Sequence, residues 1–290
     1  MQDGAGPELL ARRFEERRPQ LRALAYRMLG SLAEADDAVQ EAWLRLAAPH
    51  ADAPANLDAW LVTVVSRICL NVLRTRSRHP ADRLPDPVVT VATGPGPEEE
   101  ALVADAIGMA LLVVLQTLTP LERLVFVLRD TFSVPYADIA ALVGRSPAAT
   151  RQLASRARRR VRGGSAAPVT GADRDQQRRV VDAFVAAARG GDLGALVATL
   201  HPDEVLRADA GGDGGVRTIA GAGAIARQAL LFGALGTAEI RPVLVNGGPG
   251  VLAARAGRPV SVLGFTVVDG RVAAVDVLAD PGRLQAMDLP

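Results

Sequence analysis

Apolar side chains recur at helical spacing through the first quarter of the chain. Leu21, Leu24, Ala25 and Met28 form one stripe, and Ala35, Ala38, Val39, Ala42 and Leu46 form a second. Two such stripes predict a helical hairpin, and Ser31 followed by Glu34 predicts a capping box at the start of its second arm. A third stripe, Leu57, Trp60, Leu61, Val64, Val65, Ile68 and Val72, predicts a long helix beginning near Asn56 or Asp58. Arg67, Arg74 and Arg78 fall off that stripe, while Cys69 lies beside it and is expected to be packed. Residues 8–79 therefore read as an all-α domain of three or four helices.

Periodicity then stops. Residues 80–97 contain Pro80, Pro85, Pro87, Pro95 and Pro97 with Gly94 and Gly96, which favours an extended linker. Glu98, Glu99 and Glu100 load the first turn of a new helix, where carboxylates suit the positive end of the helix dipole. Its core face is Leu111, Leu112, Leu115 and Leu118. Thr119-Pro120-Leu121-Glu122 then combines an N-cap, a proline at the first helical position and a capping-box glutamate. A helix after Pro135, a break at Gly144 and a restart at Ser146-Pro147 give two helices joined by Gly144-Arg145-Ser146, the helix-turn-helix pattern. Residues 98–163 form this second α domain, and Gly163, Gly164, Pro168 and Gly171 mark a second linker at 164–172.

From residue 173 to 290 the texture changes. A helix with Val180, Val181, Phe184, Val185 and Ala188 on one face precedes a shorter helix near Leu193–Leu200. Strands are predicted at Val205–Ala208, Ile240–Asn246, Val251–Arg255, Val260–Val268 and Val272–Ala279, with Asp269-Gly270 as a two-residue hairpin turn. This is an α+β module, so the chain is multi-domain, two all-α domains followed by α+β.

Charge sharpens the picture only through its placement. The net charge over 290 residues is +1, yet Ile139 to Ala172 contains no acid while Arg145, Arg151, Arg156, Arg158, Arg159, Arg160 and Arg162 crowd it. A second basic run is Arg67, Arg74, Arg76, Arg78 and Arg83. Every cation other than histidine is arginine. The single cysteine excludes an internal disulfide, and no apolar run reaches the length of a membrane span, so a cytoplasmic protein without membrane contact is expected. His50, His79 and His201 lack metal-ligand spacing, and no metal or cofactor is expected.

Ser146 to Arg162 carries the clearest chemistry. Ala148 and Ala149 are small enough for close approach to a groove, Arg151, Gln152, Ser155 and Arg156 can reach base edges, and Arg158, Arg159 and Arg160 can meet phosphates. A solvated basic helix end is the plainer alternative, weakened by the preceding helix and glycine turn.

Residues 8 to 163 resemble an extracytoplasmic-function sigma factor of the sigma-70 family. The resemblance rests on Tyr26–Leu46, Ala59–Arg78 and Leu118–Val161, in that order. It implies a transcription-initiation subunit whose partners are promoter DNA and core RNA polymerase, contacted at the β′ clamp and β flap. The first segment resembles the clamp-docking helix, which maps that role onto Asp36, Asp37, Gln40, Glu41 and Trp43. The second resembles the part that opens and reads the −10 element, which maps onto Arg67, Asn71, Arg74, Arg76 and Arg78. Single-stranded DNA also favours stacking groups, but aromatics make up only 3% of this chain, so base capture relies on polar contacts. Trp60 is assigned to the core. The third segment resembles the −35 reader.

The C-terminal module resembles SnoaL-like domains, cone-shaped α+β folds related to cyclases and ketosteroid isomerases. Its Asp-Gly-Gly-rich loop matches Asp209, Gly211, Gly212, Asp213, Gly214 and Gly215, and its terminal Asp-Pro-x-x-Leu element matches Asp280, Pro281 and Leu284. These residues are expected to dock on the sigma portion and regulate it in cis, with Asp209 and Asp213 pairing with linker arginines. The interdomain Trp-Leu-Pro motif is reduced to Arg83-Leu84-Pro85. Catalysis is not expected: isomerase-like proton transfer needs a base and an oxyanion donor, and both tyrosines, Tyr26 and Tyr136, lie outside this module. His201, Asp203, Asp209 and Asp276 are its candidate acid–base groups, and a small-molecule ligand in a residual pocket stays open. The rival readings are a ligand-responsive helix-turn-helix regulator and a cyclase- or isomerase-like enzyme.

Overall fold

The computed structural model describes residues 7–48, 54, 56–76, 83–91, 108–163, 171–212, 215–234, 238–287 and 289–290. Two compact units emerge, Met1–Pro80 with Val114–Gly163, and Ala81–Val113 with Gly164–Pro290. Most of the second expected α domain thus shares one unit with the first, while Ala81–Val113, which takes in the expected linker and the start of that second domain, belongs to the other.

In the first unit α1 (Pro7–Leu29), α2 (Leu32–Leu46) and α3 (Leu57–Arg76) pack through the anticipated stripes, with Phe14, Leu24, Met28, Ala35, Val39, Ala42, Leu61 and Val65 buried. The turn from α1 to α2 uses Gly30 at φ 73. The expected capping box at Ser31 does not form. Ser31 is extended but its hydroxyl makes no cap, and the Glu34 carboxylate turns instead to an ion pair with Arg76, a charged partner that outcompetes a neutral amide. The start that Glu98–Glu100 predict lies outside the described residues, and the helix α4 (Met109–Gln116) is seen. The box at α5 (Pro120–Phe126) is complete, Thr119 Oγ1 accepting from the Glu122 amide and Glu122 accepting from the Thr119 amide at 3.1 Å.

A five-residue π-helix, Val127–Thr131, follows α5 and was not anticipated. Next come α6 (Tyr136–Val143), a left-handed Gly144 at φ 64, and α7 (Pro147–Gly163), the predicted helix-turn-helix. Arg123 ties this half to the first three helices. Its Nε donates to Leu115 O and its Nη1 to Met28 O, both at 2.7 Å, and burial pulls its pKa down to about 10.

The second unit holds one seven-stranded sheet in the order β1-β4-β5-β6-β7-β2-β3. Its strands are β1 (Val89–Val91), β2 (Leu200–Asp209), β3 (Val216–Ala220), β4 (Glu239–Val245), β5 (Gly248–Arg255), β6 (Arg258–Val268) and β7 (Arg271–Leu278). Helices α8 (Gly171–Gly190), α9 (Leu193–Thr199) and α10 (Ala222–Ala234) enclose a core with them, centred on Phe184, Leu196, Leu206, Ile225, Phe265 and Val275. The short α11 (Pro281–Ala286) closes the chain. This is the expected α+β arrangement.

All five predicted strands are present; β2, β5 and β6 are longer than expected, while β4 and β7 are displaced by one residue towards the N-terminus. The β4–β7 hairpins turn on Asn246-Gly247, Ala256-Gly257 and Asp269-Gly270, with both residues of each turn at positive φ. Sequence reasoning found the third of these turns and missed β1, β3 and α10. β1 is three residues amid prolines, and Gly223 and Gly233 weaken the helical signal of α10.

Candidate functional site

The outward face of α2 carries Asp36, Asp37, Gln40 and Glu41, all exposed, while Ala35, Ala38, Val39 and Ala42 turn inward. Asp36 pairs with Arg22 and Glu41 with Arg45. Trp43 is half-buried, its ring 5.0 Å from that of Phe14, so it braces the helix more than it projects. Leu44 is 61% exposed on the same acidic face. It was not singled out, although it lies off the apolar stripe and so had to point outward.

Arg67, Asn71 and Arg74 are exposed at spacings of four and three on α3, one continuous polar face opposite the core. Trp60 is half-buried. Arg76 does not join that face. It donates to Leu29 O at 2.9 Å and pairs with Glu34, holding the end of α3 to the α1–α2 turn. Arg78 and Asp213-Gly214 lie outside the described residues.

On α7 the buried positions are Thr150, Ala154, Ala157 and Val161. That spacing turns Ala148, Arg151, Gln152, Ser155, Arg156 and Arg159 outward, and Ala149 is half-covered with its amide bonded to Ser146 Oγ at 3.2 Å. Two of the arginines assigned to phosphates are engaged within the unit. Arg158 Nε donates to Asp130 at 2.8 Å and its Nη2 to the Tyr136 hydroxyl at 3.1 Å, and the Asp130 bond raises the pKa of Arg158. Arg160 meets Glu122 at 2.6 Å. Burial works against the charge on Glu122, but its bonds to Thr119 and the nearby Arg160 and Arg156 outweigh it and hold the carboxyl below its ordinary value.

The second unit builds a clamp around its own segment 84–91. β1 lies antiparallel on β4, Val89 opposite Val245 and Val91 opposite Val243, and the Val88 amide donates to Asn246 Oδ1 at 3.0 Å. Leu84, Pro85, Val88 and Val89 are buried. Asp209 Oδ2 accepts from the Leu84 amide at 3.0 Å and from Arg283 Nη1 at 2.7 Å, while its Oδ1 accepts from the Gly211 amide. Arg283 also donates to Leu84 O at 2.9 Å and, through Nε and Nη2, to Asp86 at 3.0 and 2.5 Å. Asp280 caps α11 by accepting from the amides of Gly282 and Arg283, and Leu284 is buried beside Val89 and Val245.

Gly211, at φ 75, sits where a Cβ would lie 2.6 Å from Asp280, and Gly212 and Gly215 also take positive φ. The glycines therefore let the Asp209 loop close over the start of α11. The expected polarity is corrected. Asp209 does not pair with a linker arginine; the domain's own Arg283 is the cation, and the linker supplies Asp86 and the backbone of Leu84. Arg283 was overlooked as an unassigned position inside the Asp-Pro-x-x-Leu element.

The family patterns for Sigma-70 region 2 and Sigma-70, region 4 match residues 13–79 and 108–161. The ECF RNA polymerase sigma factor SigJ of Mycobacterium tuberculosis is 38% identical, across 95% of this chain and 93% of SigJ. The chain belongs to the ECF sigma factors. The crystal structure of SigJ superposes with a TM-score of 0.75 at 34% identity, covering 97% of this sigma factor and 100% of that chain. The M. tuberculosis ECF sigma factor SigG is 28% identical over 63% of this chain and 56% of its own length. As a sigma factor this protein directs transcription initiation with core RNA polymerase at promoter DNA, and its family is one of transcription regulators. Among the described residues no helix is long and apolar enough to cross a membrane.

The candidate acid–base groups of the sigma factor's sheet unit do not converge. Asp203 is exposed, its amide bonded to His201 Nδ1. Asp276 is buried against Arg207 at 2.6 Å, burial raising its pKa despite that pair. Asp209 belongs to the clamp. A strongly perturbed carboxyl that sequence reasoning missed is Glu204, fully inaccessible on β2, neither oxygen hydrogen-bonded, its pKa pushed up to about 8 by burial. Its position two residues before the inward Leu206 was the available signal. No cluster of His, Cys, Asp or Glu suited to a metal occurs among the described residues.

Proposed function

We propose that the C-terminal domain regulates this sigma factor in cis by holding the linker between regions 2 and 4. The supporting observation is the Arg283 clamp, which joins Asp209 and Asp86 and holds the Leu84 carbonyl, next to the strand β1 that the same segment adds to β4. Asp209, Gly211, Gly212, Gly215, Asp280, Pro281 and Leu284 act in this reading by shaping the clamp. Because the domain is tethered, docking is intramolecular, and contacts worth a few kcal/mol keep the linker mostly bound at an effective concentration on the order of millimolar.

The same reading assigns the β′ clamp to the α2 face with Asp36, Asp37, Gln40, Glu41 and the neighbouring Leu44. It assigns the −10 strand to Arg67, Asn71 and Arg74, −35 bases to Arg151, Gln152, Ser155 and Arg156, and phosphates to Arg159. Region 4 contacts the β flap.

Run-off transcription with core polymerase and the gene's own upstream DNA tests the regulatory part. The full chain, Arg283→Ala and a chain ending before Asp280 are compared. A changed yield in both altered proteins supports regulation through the clamp; equal transcription from all three removes it.

A further inference from the structure

Region 4 contains one tyrosine, and three of its arginines meet there. Tyr136 opens α6, half-buried between the π-helix and α7. The guanidinium of Arg129 lies over its ring at 4.9 Å and that of Arg151 at 5.6 Å. Its hydroxyl accepts from Arg158, whose Nε is held by Asp130. Arg129 in turn donates to Val134 O at 3.2 Å, the carbonyl just before the helix-turn-helix. The π-helix supplies both Arg129 and Asp130, so its wider turn brings a cation and an anion to the foot of the recognition helix.

We propose that Tyr136 is a positioning residue for promoter recognition, its ring pre-orienting Arg151 for base contact while its hydroxyl and Asp130 restrain Arg158. The inference rests on the reading of α7 as the −35 helix. A guanidinium attracted to a ring face spends no hydrogen bond on it, so the ring restrains the side chain without consuming the N–H donors that read a base. An unsupported arginine on an exposed helix face must give up its rotamer freedom when DNA arrives, whereas one already stacked has given up part of it. The same geometry divides the arginines of α7. Arg158 is held by an acid and a phenol and serves the scaffold, while Arg151 is held only by a π face and keeps its edge for DNA.

The test uses holoenzyme assembled from the full chain and core RNA polymerase, selecting from duplex DNA with a randomised −35 segment. Arg151→Ala is expected to flatten the preference at one position. Tyr136→Leu should weaken that same position roughly two- to fivefold, the range of an exposed cation–π contact. Tyr136→Phe, which keeps the ring, should restore it, and Tyr136→Leu should add nothing in the Arg151→Ala background. A purely structural role for Tyr136 would instead lower affinity at every position alike, and that result overturns the proposal. So does a preference unchanged by Tyr136→Leu where Arg151→Ala abolishes it. If Arg151→Ala alters no position, the assignment of α7 as reader fails first. Should Tyr136→Leu not fold, the Arg151 side-chain Nε–H in the unaltered chain decides: a ring-shifted, restrained signal upholds the stack and a freely averaged one refutes it.

Discussion

In each unit of this sigma factor an arginine largely withdrawn from water, Arg123 or Arg283, joins segments far apart in the chain, but the two are solvated by different partners. In the helical unit Arg123 has only carbonyl oxygens, Leu115 O and Met28 O, and it keeps its proton less firmly than usual, with a pKa near 10. In the sheet unit Arg283 has two carboxylates and a carbonyl, and its side chain is 15% exposed. Carbonyl dipoles only partly replace lost hydration, so the first joint gains little over an apolar contact of the same shape. The second leaves two acids stranded if the cation is removed. The difference teaches where the molecule is built to come apart. A joint made of neutral acceptors can be remodelled at little cost, and one made of opposite charges fails abruptly.

The largest expected effect breaks the clamp. Arg283→Met should destabilise the sheet unit by about 3–5 kcal/mol, since Asp209 stays buried without its cation, and urea unfolding together with lost exchange protection at the Leu84 and Val88 amides reads it. A loss below about 1 kcal/mol would erase the contrast. Next comes the carboxyl without any counter-ion. Glu204 binds its proton up to about pH 8 in the folded chain but only to its ordinary 4.5 when unfolded. The folded state therefore holds more protons between those values, and stability falls as pH rises from about 4.5 to 8, then levels off. Glu204→Gln should remove that slope and raise stability at pH 9 by about 2–4 kcal/mol, with little change at pH 4, in paired thermal melts.

Smaller still is Arg123→Met, expected to cost about 1 kcal/mol, because the charge that was costly to bury leaves with the bonds it made. Equal losses for Arg123→Met and Arg283→Met would show that partner charge is irrelevant. An exposed control completes the series. Leu44→Asp should change stability by no more than about 0.5 kcal/mol, yet reduce the amount of core polymerase recovered with the protein.

What could be read from the chain was what local chemistry decides. Thr119-Pro120, Pro135, Gly144 and Ser146-Pro147 punctuate the helix-turn-helix within a few residues of the elements they bound, and Asp269-Gly270 names its own hairpin. The failures were long-range. β1 is a strand because β4 receives it, and Val89 meets Val245 across most of the molecule's sequence. Arg283 lies 199 residues from Leu84. Arg158 and Arg160 read as phosphate ligands because Asp130 and Glu122 stand 28 and 38 residues earlier, and only folding brings those acids to α7. Glu204 was visible by strand parity, but a lone glutamate in an alternating strand gives no hint that its inward neighbour positions are closed.

The edge of the sheet adds a further consequence. Along β4, Glu239, Arg241 and Pro242 are exposed in the half that no described strand joins, while Val243 and Val245 are buried where β1 lies. Charge and a residue without an amide hydrogen protect the open half against chance pairing with another chain. The apolar half has no such guard and relies on the linker as its cover. On the proposed release of the linker a short strip of unpaired backbone would be bared, and the released state would carry an aggregation hazard until the linker returns or another strand caps the strip.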